Sequence, residues 1–217
     1  MGRFKLQLRP GIRASIAAIL LIVFPLCGVA APYAAIVIDA DTGKVLHSEN
    51  ANTRLHPAGL TKLATLYVAF EAIAAGEVGL DDKVRISSNV ASEPIAALGM
   101  REGQRITIKD LLQASAIKGA NDASTALAEA ISSSEQAFTK RLDEIAGRLD
   151  MSHSSFMNAH GLTEKGHLST AADMAILMVE LIKKFPEDVL LLGQLDTISQ
   201  GVVSPLKVAL LIKLILD

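Results

Sequence analysis

The sequence predicts an α+β domain, and three observations predict it. An extended apolar run with a turn-rich break stands near the front. A series of segments with helical apolar spacing follows. Threonine-led capping pairs mark where two of those helices begin. The chain has 217 residues, 50% of them hydrophobic, which is enough to enclose one core. Only 4% are aromatic and tryptophan is absent, so alanine and leucine must fill that core, a composition that favours helices.

Residues 1–31 do not belong to the core. Arg3, Lys5, Arg9 and Arg13 form a basic front, and Ile16 to Leu26 is an apolar run. Gly28-Val29-Ala30 and Val29-Ala30-Ala31 are small-x-small cleavage sites. That order is the layout of a secretory signal peptide, which predicts an exported, periplasmic or extracellular protein. An uncleaved membrane anchor is the alternative, but the clean apolar run is short for a spanning helix. Removing the signal takes four of the 21 basic residues and no acid, leaving 17 against 23. An acidic chain of this kind is a poor partner for nucleic acid. Cys27, the only cysteine, leaves with the signal, so the exported protein has neither disulfide nor thiol chemistry. The spacing of histidines and carboxylates points to no metal site, and nothing calls for a cofactor.

Tyr33 to Ile38 reads as a strand, residues 39–44 as a turn, and Val45-Leu46-His47 as a returning strand. The first strand is apolar on both faces, so both need cover. The nearest cover is the next segment, where Leu60, Leu63, Leu66, Tyr67, Phe70 and Ile73 recur at helical spacing. Pro57 suits its start and Gly76 its end. Leu80 to Ile86 and Gly103 to Ile108 read as short extended pieces, with an irregular stretch at 87–100 between them. Thr107-x-x-Asp110 launches a helix over about 109–117, Lys118-Gly119-Ala120-Asn121 interrupts it, and helices follow from near Asp122 to Ile131 and over about 135–149. A loop over 151–169 carries Asn158, His160 and His167. Thr170-x-x-Asp173 caps a last helix that Pro186 stops. The apolar run 208–216 is too short to span a bilayer and contains Lys213. It reads as an interfacial helix in contact with a membrane surface, or as a tail without its packing partner.

The chemistry centres on Leu55-His56-Pro57-Ala58-Gly59-Leu60-Thr61-Lys62. Gly59 and Lys62 fall in the first turn of the helix on one face. A serine at 59 would complete Ser-x-x-Lys, a nucleophile with a lysine one turn away to take its proton. Glycine stands there instead. Thr61 cannot substitute, since two positions along a helix it points about 200° away.

These segments, taken in order, resemble the serine D-alanyl-D-alanine carboxypeptidases, the low-molecular-mass penicillin-binding proteins with a β-lactamase/transpeptidase-like fold. Ile36 to Leu46 is similar to the family's opening hairpin and Pro57 to Leu63 to its nucleophile helix. Gly119-Ala120-Asn121-Asp122-Ala123 is similar to its Ser-x-Asn turn. Asn158-Ala159-His160-Gly161-Leu162 and His167 to Ala175 match further family stretches. The resemblance runs from about 34 to 186. It implies three regions: a signal peptide at 1–31, a partial carboxypeptidase domain at 32–186, and a divergent tail at 187–217. It implies that position 59 holds the nucleophile, Lys62 the base, position 119 a proton relay and Asn121 a hold on the substrate amide. The substrate implied is the D-Ala-D-Ala end of a peptidoglycan stem peptide.

The chain departs from that pattern at Gly59 and Gly119, each in place of a serine, and it contains no Lys-Thr-Gly. The family's later sheet strands are also expected to be missing, which would leave the front hairpin alone. Active cell-wall trimming is therefore in doubt. The competing readings are an impaired or inactive family member, a non-catalytic relative that binds cell-wall peptide or a partner protein, and a degenerate frameshifted product. A class A β-lactamase is a weaker alternative, because its Ser-x-Asn is commonly Ser-Asp-Asn and position 120 here is alanine. The plainer readings of single residues also stand: Lys62 as an exposed helical lysine, Asn121 or Asp122 as a helix N-cap, and His160 and His167 as polar loop residues.

Overall fold

The computed structural model describes residues 33–189 and the strand backbone at 209–215; the expected signal peptide and most of the expected tail lie outside these. Strand β1, Tyr33–Asp39, turns through a left-handed Gly43 into β2, Val45–Glu49. Asp39 closes that turn by accepting from the Thr42 amide at 2.8 Å and the Thr42 hydroxyl at 2.7 Å. The turn hydrogen bonds hold the Asp39 carboxyl below its ordinary pKa.

The sheet is not limited to this hairpin. The apolar run expected as an interfacial helix or loose tail is strand β5, Ala209–Ile215, paired antiparallel with β1 along its whole length. The order is β2-β1-β5, which puts the apolar β1 in the centre. A run of this length that is apolar but for Lys213 suits a strand as well as a helix, and β1 supplies the hydrogen bonds of the strand. Among the described residues no helix is long and apolar enough to cross a membrane.

Helix α1, Thr61–Ala74, follows a single 3₁₀ turn at Ala58–Leu60. It is buried on nearly every face, including Thr61, Lys62 and Thr65. A helix buried all round is the centre of a bundle rather than a cover for a sheet. Accordingly α3 (Ile108–Lys118), α4 (Asn121–Ser132), α5 (Glu135–Arg148) and α6 (Ala171–Lys184) all pack against it. The cover expected of the Gly59 helix over β1 comes instead from α6. Tyr67 and Phe70 of α1 meet Phe185 just past α6, with ring centroids 5.5 and 5.6 Å apart.

The irregular stretch after β3 (Lys83–Arg85) contains one ordered turn, α2 (Ser88–Ala91), capped by the Ser87 hydroxyl. Strand β4, Arg105–Thr107, pairs with β3 and runs straight into α3. There Thr107 accepts from the Asp110 amide at 3.1 Å and donates to its carboxylate at 2.7 Å. Thr170 caps α6 by accepting from the Asp173 amide at 3.0 Å. Pro186 ends α6 but does not end helical structure, because residues 186–189 resume it. A proline has no amide to lose at the first position of a new turn.

Candidate active site

Three polar side chains of α1 face the loop at 156–169. The Thr61 hydroxyl meets His167 Nε2 at 2.8 Å, Lys62 Nζ donates to the His160 carbonyl at 2.7 Å, and the Thr65 hydroxyl donates to the Ala159 carbonyl at 2.6 Å. A second donor bond from Lys62 Nζ reaches Asn121 Oδ1, also at 2.7 Å. The Asn121 amide nitrogen then donates to the Ile95 carbonyl at 2.9 Å. Lys62 is therefore not a solvated lysine: it is 8% exposed and holds two elements together. Burial pushes its pKa down to about 8, only partly offset by the charge of Glu93.

Asn121 is not the cap of α4. Ala120 holds the N-cap position and Asn121 is the first helical residue, which frees its side chain for Lys62. Asp122 accepts from the Met100 amide at 3.2 Å and so ties down the loop before β4. Gly119 ends α3 in the left-handed region, with φ 64°. Gly59 sits in the 3₁₀ turn rather than the first α-turn. Its φ is not left-handed, and a Cβ built there would have nothing within 4 Å. The structure thus brings all four singled-out residues, Gly59, Lys62, Gly119 and Asn121, to the wall of one cavity of about 410 Å³. Leu63, Ile95 and Leu162 make part of its apolar lining.

The histidines correct the sequence reading. Both lie in the loop, yet His160 is 6% and His167 1% exposed. The His160 ring is 3.5 Å from both Glu93 and Glu135, partners separated from it by 67 and 25 positions, so no local spacing reveals them. Burial raises the Glu135 pKa, with Glu93 adding to the effect. The three groups converge within 4.8 Å, a spacing that a cation could use. The ring hydrogen decides otherwise. The Leu162 amide donates to His160 Nδ1 at 3.1 Å, so the neutral ring carries its hydrogen on Nε2, facing the carboxylates. A cation would need that nitrogen's lone pair. The His167 ring is fixed in the same way, since the Met157 amide donates to its Nδ1 at 3.1 Å. Its Nε2 hydrogen therefore points to Thr61, and the pair is a structural contact rather than a base beside a nucleophile.

A bundle around a buried Ser-x-x-Lys-like helix, with the Lys62–Asn121 contact behind it, defines a penicillin-binding class of fold. The D-alanyl-D-alanine carboxypeptidase (Peptidase S11) family profile matches residues 28–196, and the chain belongs to that family. It is 44% identical over 149 residues to the D-alanyl-D-alanine carboxypeptidase DacF of Bacillus subtilis, covering 69% of this chain and 38% of the relative. Identity to DacC of Escherichia coli is 34% over 159 residues, covering 70% and 40%. Among solved structures, the carboxypeptidase DacD of Francisella tularensis superposes with a TM-score of 0.70 at 34% identity, covering 72% of this chain and 38% of that one. Penicillin-binding protein 5 of Haemophilus influenzae gives 0.69 at 27%, covering 71% and 46%. The chain spans about two-fifths of the length of these curated relatives.

Proposed function

We propose that this chain is an exported member of the carboxypeptidase family that binds the D-Ala-D-Ala end of a peptidoglycan stem peptide without cleaving it. The observation that carries this reading is Gly59. The base position beside it is intact and buried, but no side-chain oxygen stands within its reach at position 59. Acyl transfer of this type needs that oxygen as the acyl acceptor. Gly119 removes the second hydroxyl of the family pattern. What remains is a recognition surface: an apolar wall, the Asn121 amide, and a lysine held by two hydrogen bonds. The regions are read as a signal at 1–31 and a peptide-binding domain that begins at 32, with the stretch 187–217, expected as a tail, contributing strand β5 to its sheet.

The test pairs a covalent probe with a binding probe. A fluorescent penicillin is expected to leave no covalent label on this chain, while calorimetry with a diacylated D-Ala-D-Ala peptide detects binding that Asn121→Ala weakens at least tenfold. Label on the unmodified chain would overturn the role given to Gly59. Absence of peptide binding would overturn the retained substrate site. Export carries its own check: N-terminal sequencing of periplasmic or secreted material is expected to start just after Ala30 or Ala31, and a mature form that keeps residues 1–30 would remove the signal assignment.

A further inference from the structure

We propose that Lys62 is a covalent capture site for small apolar aldehydes, acting as the nucleophile of this pocket in its own right. The reading goes beyond peptide binding and stands on the geometry around Nζ. Both fixed hydrogen bonds of Nζ are to neutral acceptors, Asn121 Oδ1 and the His160 carbonyl, each at 2.7 Å. A neutral amine has two hydrogens and one lone pair. The two acceptors engage both hydrogens and leave the lone pair uncommitted. No carboxylate forms an ion pair with Nζ among the described residues; Glu93 favours the ammonium form only through its charge, and burial outweighs it.

The pocket leaves room for a reactant. Lys62, Gly59 and Gly119 line the same cavity, and a Cβ built at either glycine meets no atom within 4 Å. Helical side chains lean toward the N-terminus, which carries Lys62 back toward the turn that holds Gly59. Leu63, Ile95 and Leu162 give an apolar wall suited to an aryl or alkyl group. In the step itself the Nζ lone pair attacks the aldehyde carbon, the carbonyl pair moves to oxygen, and one Nζ hydrogen passes to that oxygen as a proton to give the carbinolamine. The hydroxyl then leaves as water with the second Nζ hydrogen, which breaks the bonds to Asn121 Oδ1 and the His160 carbonyl and leaves an imine between Nζ and the former carbonyl carbon.

The experiment uses the full chain, benzaldehyde and cyanoborohydride, which delivers hydride to the imine and leaves a stable benzyl amine. Peptide mapping reads the rate at each lysine. The depressed pKa of about 8 gives Lys62 roughly 300-fold more neutral amine at pH 7 than an ordinary lysine. Lower basicity offsets part of that gain, so labelling of Lys62 is expected about tenfold faster than at exposed Lys44, Lys118 and Lys140. Its rate should level off above about pH 8 while theirs keep rising. Guanidinium should abolish the difference. Gly59→Leu, which fills the cavity, should slow labelling of Lys62 alone, and Gly59→Ala should slow it less. Labelling of Lys62 no faster than of the exposed lysines, or equal rates in the wild type and a folded Gly59 variant, would overturn the proposal.

Discussion

Gly161→Ala is expected to lower the stability of the domain by at least about 4 kcal/mol, the range reserved for steric collision with a part that cannot move. Gly161 has φ 94°, a conformation that side chains rarely adopt. Its added Cβ would overlap the carbonyl group of Ala58 and sit 2.9 Å from the Thr61 hydroxyl. The obstacle is backbone, and Ala58 is itself in the left-handed region with φ 46°. Relief requires moving the 3₁₀ turn that carries Gly59, and with it the cavity wall. For a domain of this size the loss corresponds to a fall in Tm of about 10 °C or more. Gly59→Ala is the matched control and should change stability by less than about 1 kcal/mol, because its Cβ enters open space. Thermal unfolding of the two variants decides. A loss under about 1 kcal/mol for Gly161→Ala would mean that the loop and turn are not in fixed contact.

This coupling explains which parts of the site were legible in the sequence. The helices were, because their signals are local: Thr107 and Thr170 cap within three residues, and the apolar spacing of Leu66, Tyr67 and Phe70 belongs to one helix. The grouping of Gly59, Lys62, Gly119 and Asn121 was reached through ordered motifs, and the geometry adds the hydrogen bond that joins two of them. What escaped was contact at long range. β5 pairs with β1 across 170 to 182 positions, and a largely apolar run of seven residues carries no mark of strand or helix by itself. The helix that covers β1 is far along the chain because α1, nearest in sequence, is needed at the centre of the bundle. The burial of His160 and His167 likewise rests on groups brought from far along the chain, Lys62, Glu93 and Glu135 for the first and Thr61 for the second, and a loop sequence rich in polar residues conceals it. Thr61, Thr65 and Lys62 held one available clue, since three polar residues in the first turns of a largely apolar helix must find buried partners.

Those buried histidines set the second large effect: stability is expected to fall steeply as pH drops from about 6.5 to 4. Burial lowers the pKa of His160 to about 4, and the charge of Lys62 adds to it; burial lowers His167 to about 4, with His160 and His56 contributing. Two carboxylates 3.5 Å from His160 would favour its charged form, yet the ring nitrogen that must take the proton already accepts from the Leu162 amide. Protonating His167 would equally cost it the Met157 amide bond. Both groups have folded pKa values below the unfolded value of about 6.5, so the unfolded chain binds more protons within that window. Stability is therefore fully present above about 6.5 and is lost as pH falls toward 4. Each histidine contributes about 3 kcal/mol over the full window, and two of them approach the whole stability of an ordinary domain. Glu135 and Asp143, whose pKa values burial raises, act in the opposite direction. They keep protons in the folded state above the usual carboxylate range and soften the slope near its acid end. Urea unfolding at closely spaced pH values measures the slope. His167→Gln should remove about half of the pH dependence whatever it does to absolute stability. A midpoint that stays constant between pH 7 and 5 would show that the rings are charged in the folded state, and the tautomers assigned from the Leu162 and Met157 amides would fall with it.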